Sequence, residues 1–337
     1  MTLYFSEQIL PLVTVIIPSY NYGRFIEEAI DSVLASDYPQ ELIEIIVIDD
    51  GSTDNTGNVV KAYGNRVNYQ YIDNTRKAGA IKLGVEQAQG KYIFNLDADD
   101  LFESEKIRKV VDIFESDDEI VHVSHLNNYW DMGTGSKNPE DIPVEILDKK
   151  IHGNELLEYL YTRKILYGGG STYAARSKAI KGKLNFKSEM GTVVDEYITV
   201  ATIGLNYSYF ISQPLTLYRL HGNNVSKISN EFGDVEFSKL SVRVNCTKVI
   251  EQQLLQDGIL NNKAKNLYIL KSKEYALYFK KITHKDSLLE IINLYLFVIS
   301  NISLFGKNFF IIIARYKLLK YFIPSSLFLL IKRSIVK

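Results

Sequence analysis

Apolar and polar positions come in alternating blocks along the first hundred residues. Leu12–Pro18 (LVTVIIP) and Ile43–Ile48 (IEIIVI) are short, uninterrupted β-branched runs, the pattern of strands covered on both faces. Val67–Ile72 and Lys91–Leu96 (KYIFNL) predict two more strands. Between them the period changes. Phe25, Ala29, Ile30, Val33 and Leu34 recur at helical spacing within Arg24–Leu34. A second helix is expected after Asp49–Asp54, where Ser, Thr and Asp all suit an N-cap. Ala78–Ala88 predicts a third, which tolerates Gly79 and Gly84 at some cost and ends at Gly90. Strand–helix repeats at this spacing imply parallel βαβ units, with helices on both faces of one sheet. Such sheets bind ligands at the carboxyl ends of their strands. Three polar clusters fall at three of those ends: Ser19–Gly23, Asp49–Asp54 and Asp97–Asp100.

The pattern then loosens. Ile120–Ser124 reads as a strand, Asp131–Pro143 as a loop and Gly153–Lys164 as a short helix. Gly168-Gly169-Gly170-Ser171 opens a strand-like STYAAR segment. Thr192–Ile203 has helical spacing, and Tyr207–Leu220 holds one or two strands. From Glu231 onward the pattern is helical, without internal repeats.

Composition narrows the class. The chain has 337 residues, 46% of them hydrophobic and 23% charged, which excludes a disordered, collagen-like or disulfide-framework protein. One cysteine, Cys246, excludes an intrachain disulfide or a multi-cysteine metal site, and a reducing compartment fits. The N-terminus lacks the cationic start and cleavage site of a secretory signal. Net charge is −1 but unevenly placed: residues 286–337 hold seven Lys/Arg and two acids, +5, leaving −6 for the rest. The mildly acidic bulk argues against nucleic acid as a partner. The tail is basic and apolar and has no acid after Glu290. It fits helices lying in an anionic membrane interface, or else a packed helical subdomain or dimer interface, so oligomerisation stays open.

The clusters suggest chemistry. Asp97-Ala98-Asp99 puts carboxylates at i and i+2, on one side of the chain if it remains extended. That pair suits a hard cation that also takes phosphate oxygens, Mn²⁺ or Mg²⁺, although Asp-rich strand ends are also ordinary turns. Asp49-Asp50-Gly51-Ser52-Thr53-Asp54 can accept from a base N–H or a ribose hydroxyl, or simply cap a helix.

Pro18-Ser19-Tyr20-Asn21, Asp49–Asp54 and Leu96-Asp97-Ala98-Asp99-Asp100, in this order and spacing, resemble family 2 glycosyltransferases of the GT-A fold over residues 10–226. The resemblance implies an α/β fold with a mostly parallel, Rossmann-like central sheet, followed by a helical C-terminal region. It divides the chain into a transferase domain, 1–226, and helices over 227–337. The nucleotide-sugar half would be about 10–100 and the acceptor half 101–226. It implies an inverting enzyme taking a nucleoside-diphosphate sugar, UDP by default, to a glycan or lipid-linked acceptor of bacterial surface-glycan type. It assigns Pro18, Ser19, Tyr20, Asp49, Asp50, Asp97 and Ala98 to the donor, with Asp99 as metal ligand. The family's Ala-Arg-Asn-x-Gly stretch reads Ala80-Ile81-Lys82-Leu83-Gly84 here, so Lys82, or Arg76, is the candidate for phosphate or sugar hydroxyls. Asp195-Glu196 matches the family's Glu-Asp base pair in reversed order; both are candidates, with Asp195 preferred. Tyr218-Arg219-Leu220-His221 matches a Tyr-Arg-x-His segment, giving Arg219 to the diphosphate and His221 to the metal. The expected location is cytoplasmic, on the inner face of the membrane. A sugar nucleotidyltransferase would need a Gly-rich basic loop after the first strand, where this chain has Ser19–Gly23. A silent nucleotide-sugar-binding module is the third reading.

Overall fold

A computed structural model describes residues 10–140, 144–163, 169–221, 224, 234–283, 285 and 287–305. The expected features at Pro143, Gly168, 222–223, 225–233 and 306–337 lie outside the described residues.

The strands are β1 (Val13–Ser19), β2 (Ile43–Asp49), β3 (Asn68–Tyr71), β4 (Tyr92–Asn95), β5 (Leu101–Phe102), β6 (Ile120–Asp131), β7 (Lys137–Pro139), β8 (Lys150–His152), β9 (Tyr173–Arg176) and β10 (Tyr207–Leu220). The helices are α1 (Ile26–Leu34), α2 (Thr56–Lys61), α3 (Arg76–Gln87), α4 (Lys106–Ser116), α5 (Gly153–Arg163), α6 (Ser177–Ile180), α7 (Val194–Leu205), α8 (Asp234–Asp257), α9 (Asn262–Ile282), α10 (Leu288–Ser300) and α11 (Ile302–Phe305).

The chain forms two compact units. The first comprises Met1–Lys150, Gly168–Lys183 and Tyr209–His221. Its sheet runs β3-β2-β1-β4-β9-β6-β10-β5. The first four strands are parallel, with Val13 opposite both Ile43 and Tyr92. Beyond β4 the sheet turns antiparallel at β9, and β6 pairs β9 and β7 the same way. The sheet is therefore mixed rather than mostly parallel: the βαβ pattern governs only its first half. Every residue of β1 is buried, as its unbroken apolar run requires. β6 extends seven residues past the expected strand end, because Asn128–Trp130 gain a partner in β7.

Gly84 has a packing reason. A Cβ there would lie 2.5 Å from Ile16 Cγ2, so its absence lets α3 lie directly on β1. The helix propensity lost at this glycine is offset by that close approach.

The second unit comprises Ile151–Tyr167, Leu184–Ser208 and Gly222–Lys337. In it α5 packs on α7 and α9, α8 on α9, and α9 on α10. Thus α5 and α7, assigned from sequence to the 1–226 domain, group with the C-terminal helices. Their burial explains this: Leu156, Leu157 and Leu160 on α5 and nearly the whole of α7 are covered, so both need helical partners on more than one side. Among the described residues no helix is long and apolar enough to cross a membrane.

Candidate active site

Within the first unit the loops that follow β1, β2 and β4 lie at the carboxyl ends of adjacent parallel strands. The loop after β1 is stitched to the loop after β2. Asn21, in the left-handed region at φ 59°, accepts from Thr53 N at 2.8 Å, while its own N–H donates to Ser52 Oγ at 2.8 Å. Gly23 N donates to Asp54 Oδ2 at 2.9 Å. Pro18 and Ser19 are buried in β1, and Ser19 Oγ has no hydrogen-bond partner among the described residues. Tyr20 is 48% exposed, an open aromatic face at the rim.

Asp49 and Asp50 are both buried but engaged differently. Asp49 accepts from Ser52 N at 2.9 Å and Tyr69 Oη at 2.8 Å, so its carboxylate shapes its own loop. Asp50 accepts on Oδ1 from Thr75 N at 2.7 Å and Thr75 Oγ1 at 3.0 Å, which fixes the entry to α3. Burial raises the Asp50 pKa against the lowering effect of the Thr75 bonds.

The acid cluster follows β4. The strand ends at Asn95, and the chain closes a turn with Asp100 N donating to Asp97 O at 3.0 Å. The extended i, i+2 geometry expected for Asp97 and Asp99 is therefore not what brings them together; the turn does. One oxygen each of Asp97, Asp99 and Asp100 lies within 4.8 Å of the others. Ala98 between them is buried. His221 Nε2 sits 3.0 Å from Asp99 Oδ2, with the imidazole against the Phe25 ring at 4.8 Å. Burial, then repulsion from Asp97, raises the Asp99 carboxyl, while His221 opposes this. Burial and both neighbouring acids raise Asp100 well above the carboxylate range. Crowded, desolvated carboxylates with an adjoining imidazole suit a hard divalent cation, which relieves their repulsion. Among the described residues, Asp97, Asp99 and Asp100 form a group that could hold such an ion, and His221 adjoins it through Asp99.

Asp100 is used internally. Its Oδ2 accepts from Ser171 Oγ at 2.6 Å and its Oδ1 from Arg219 N at 3.0 Å. Ser171 Oγ also accepts from Asp97 N at 2.9 Å. The Ser171 carbonyl takes bonds from Lys106 Nζ and Thr216 Oγ1. Lys106 is fully buried, and burial pulls its pKa well below the usual lysine value despite nearby Asp100. Gly170 lies so close to the cluster that a Cβ would sit 2.5 Å from Asp97 Oδ1. Gly170 and Ser171, from the glycine-rich segment whose role its sequence left open, are thus the floor beneath the acid turn.

The two cationic candidates are placed differently. Lys82 is 53% exposed on α3, 3.9 Å from Glu86, and is not among the residues gathered at the acid turn. Lys77, one turn earlier on α3, instead pairs with Asp97 Oδ1 at 2.6 Å. No local signal singles out Lys77; its place in the assembled fold selects it. Arg219 is buried between the Phe25 and Trp130 rings, with Nη2 2.9 Å from Glu28 Oε2. That stacking and pairing hold the guanidinium within the protein.

In the second unit, Asp195 and Glu196 open α7. Asp195 is 8% exposed. Glu196 is ion-paired to Lys271 Nζ at 2.8 Å and accepts from Tyr268 Oη at 2.6 Å, tying α7 to α9. Burial pushes the Glu196 pKa up, but Lys271 and Tyr268 outweigh it and leave it lowered. A carboxyl depressed on folding contributes stability above its unfolded pKa and loses it as pH falls through the folded value.

Residues 14–181 match the family model described as Glycosyl transferase family 2. An uncharacterized glycosyltransferase of Rickettsia prowazekii (strain Madrid E) is 41% identical over 103 residues. That alignment covers 31% of this chain and 32% of the relative, so the chain spans about a third of the relative's length. The fold resembles S. aureus TarS (residues 1–349) at TM-score 0.59 and 18% identity, over 85% of this chain and 80% of that one; TarS has also been solved with UDP and with UDP-GlcNAc. It resembles the mannosyltransferase PcManGT from Pyrobaculum calidifontis, in complex with GDP-Man and Mn²⁺, at TM-score 0.50 and 17% identity, over 95% of this chain and 87% of that one. Residues 14–181, just under half of the chain, are thus similar to the glycosyl transferase family 2 domain.

Proposed function

We propose that the protein transfers a sugar, with inversion, from a nucleoside-diphosphate sugar to a hydroxyl of a glycan or lipid-linked acceptor. UDP is the expected nucleotide, and the work is done at the cytoplasmic face of the membrane. The observation that carries the reading is the gathering of Asp97, Asp99 and Asp100 in one turn, with His221 against Asp99, beside the stitched loops after β1 and β2; the acids and both loops lie within residues 14–181, which match the family 2 model. The nucleotide-bound complexes of TarS and PcManGT support a nucleotide-sugar donor, and Mn²⁺ in PcManGT supports a divalent cation.

In this reading Tyr20 and the Asp49–Asp50 loop receive the nucleoside. Asp97, Asp99 and His221 hold Mn²⁺ or Mg²⁺, which when bound offsets the charge of the departing diphosphate. Lys77 adds a positive charge at the same place, and Arg219 fixes the backbone behind it through Asp100. Asp195 takes the proton of the acceptor hydroxyl as that oxygen attacks the anomeric carbon, and the bond to the diphosphate breaks. Glu196, committed to Lys271 and Tyr268, anchors the helix that carries the base. Residues 10–100 form the donor half, and the remainder of 101–226 serves the acceptor.

The test is release of free nucleotide from a panel of nucleotide sugars, with Mn²⁺ and with EDTA. Metal-dependent hydrolysis of one UDP-sugar is expected. Neither turnover nor metal-dependent binding of any donor would sink the proposal. A binding module would bind donor but release nothing, even with acceptor extracts.

The floor of the acid turn makes a separate prediction. Ser171→Ala removes one bond to Asp97 N and one to Asp100 while leaving every proposed metal ligand in place. Groups that orient ligands typically contribute 10–100-fold to metal affinity or activity. The Mn²⁺ concentration for half-maximal activity should rise by about tenfold, with near-normal activity at saturating metal. An unchanged metal titration would show that the turn holds its shape without Ser171.

A further inference from the structure

The α10 helix is apolar on two sides. Ile291, Leu294 and Val298 are buried, and α10 packs on α9. The opposite side is open: Leu288 is 67% exposed, Leu289 66%, Ile292 41%, Leu296 57% and Ile299 56%. At 100° per residue these five fall within one arc of about 100°. The only charge on α10, Glu290, is paired with Lys280, so the open arc carries none. Apolar patches of this kind on a soluble protein mark an interaction surface.

We propose that this face of α10 inserts into an anionic lipid surface. The inference does not rest on the catalytic reading. Charge complementarity selects the occupant. Residues 306–337 hold seven Lys/Arg and no acid, interleaved with apolar residues. An anionic bilayer takes both features at once: the leucines and isoleucines enter the acyl boundary while the basic residues meet the headgroups. A neutral protein partner would satisfy only the apolar arc, and a second copy of this chain would add seven more Lys/Arg and no acid over 306–337. The helix has 13 residues, too few to span a bilayer, so it lies in the interface plane.

The experiment is co-sedimentation of the full chain with vesicles of phosphatidylcholine alone and of phosphatidylcholine mixed equally with phosphatidylglycerol. Binding to the mixed vesicles should exceed binding to neutral ones by at least about tenfold, each basic residue at the surface contributing about fivefold when unscreened. Raising NaCl from about 0.1 to about 0.5 M should weaken it. The double variant L289E/L296E, at two exposed positions, should bind the mixed vesicles at least about tenfold more weakly while keeping the circular dichroism and nucleotide-sugar hydrolysis of the wild type. Equal binding by variant and wild type, or no binding to anionic vesicles at low salt, overturns the proposal. So does a wild-type dimer in solution that the variant converts to monomer. Hydrolysis is read without vesicles, so failure of the lipid inference and failure of the transferase reading are separate results.

Discussion

Asp99→Ala should reduce metal-dependent nucleotide release by about 10²–10³-fold or more, the cost of removing one charge-stabilising group from a preorganised site. Asp99 is the acid that joins the two halves of the proposed metal site, because its Oδ2 faces His221 at 3.0 Å while its neighbour Asp97 is paired with Lys77. In the apo protein the same substitution relieves repulsion: burial and Asp97 both raise the Asp99 pKa. Thermal stability without metal should therefore hold or rise slightly, while the stabilisation gained on adding Mn²⁺ disappears. The check is a pair of melting curves with and without Mn²⁺, alongside initial rates. A variant that still gains stability from Mn²⁺ and turns over at the wild-type rate would remove Asp99 from the metal site.

Asp195→Asn should lower transfer to acceptor by about 10²–10⁴-fold, the usual contribution of a general base, with donor affinity unchanged. Its neighbour provides the contrast. Glu196→Gln removes the charge with which Lys271, 4% exposed, is paired. Removing one partner of a buried ion pair costs about 3 kcal/mol. That variant should melt several degrees lower yet retain most of its activity per folded molecule. The sign with pH follows from the lowered Glu196 pKa. The wild type's advantage over Glu196→Gln is fully present above the ordinary glutamate range and shrinks as pH falls through the depressed value. Steady-state rates with acceptor, together with melting at two pH values, separate the roles. Lost transfer in the glutamine variant and normal transfer in the asparagine variant would exchange the assignments.

These two adjacent acids show where the sequence stops. Asp195-Glu196 reads as a reversed pair with two candidates, and nothing in the local string divides them. What distinguishes them in the fold is Lys271 and Tyr268, more than seventy positions away on α9, which engage Glu196. Lys77 and Lys82 make the same point on one helix. Both are lysines near the expected phosphate contact, but the direction in which α3 enters its seat on β1 sends Lys77 to Asp97 and Lys82 to solvent.

The sequence by itself determined the strands and helices of the first half, since unbroken β-branched runs and 3.6-residue spacing are local signals. It also determined which loops carry the acids, because parallel βαβ units place them at one edge of the sheet. Tertiary structure alone decided that Asp97 and Asp99 meet through a turn rather than along a strand. It made Ser171, Lys106 and Gly170 the floor of that turn, and it grouped α5 and α7 with the C-terminal helices. Those outcomes depend on contacts between residues far apart in the chain, where burial and charge compensation act on the assembled fold and leave no periodic trace in the sequence.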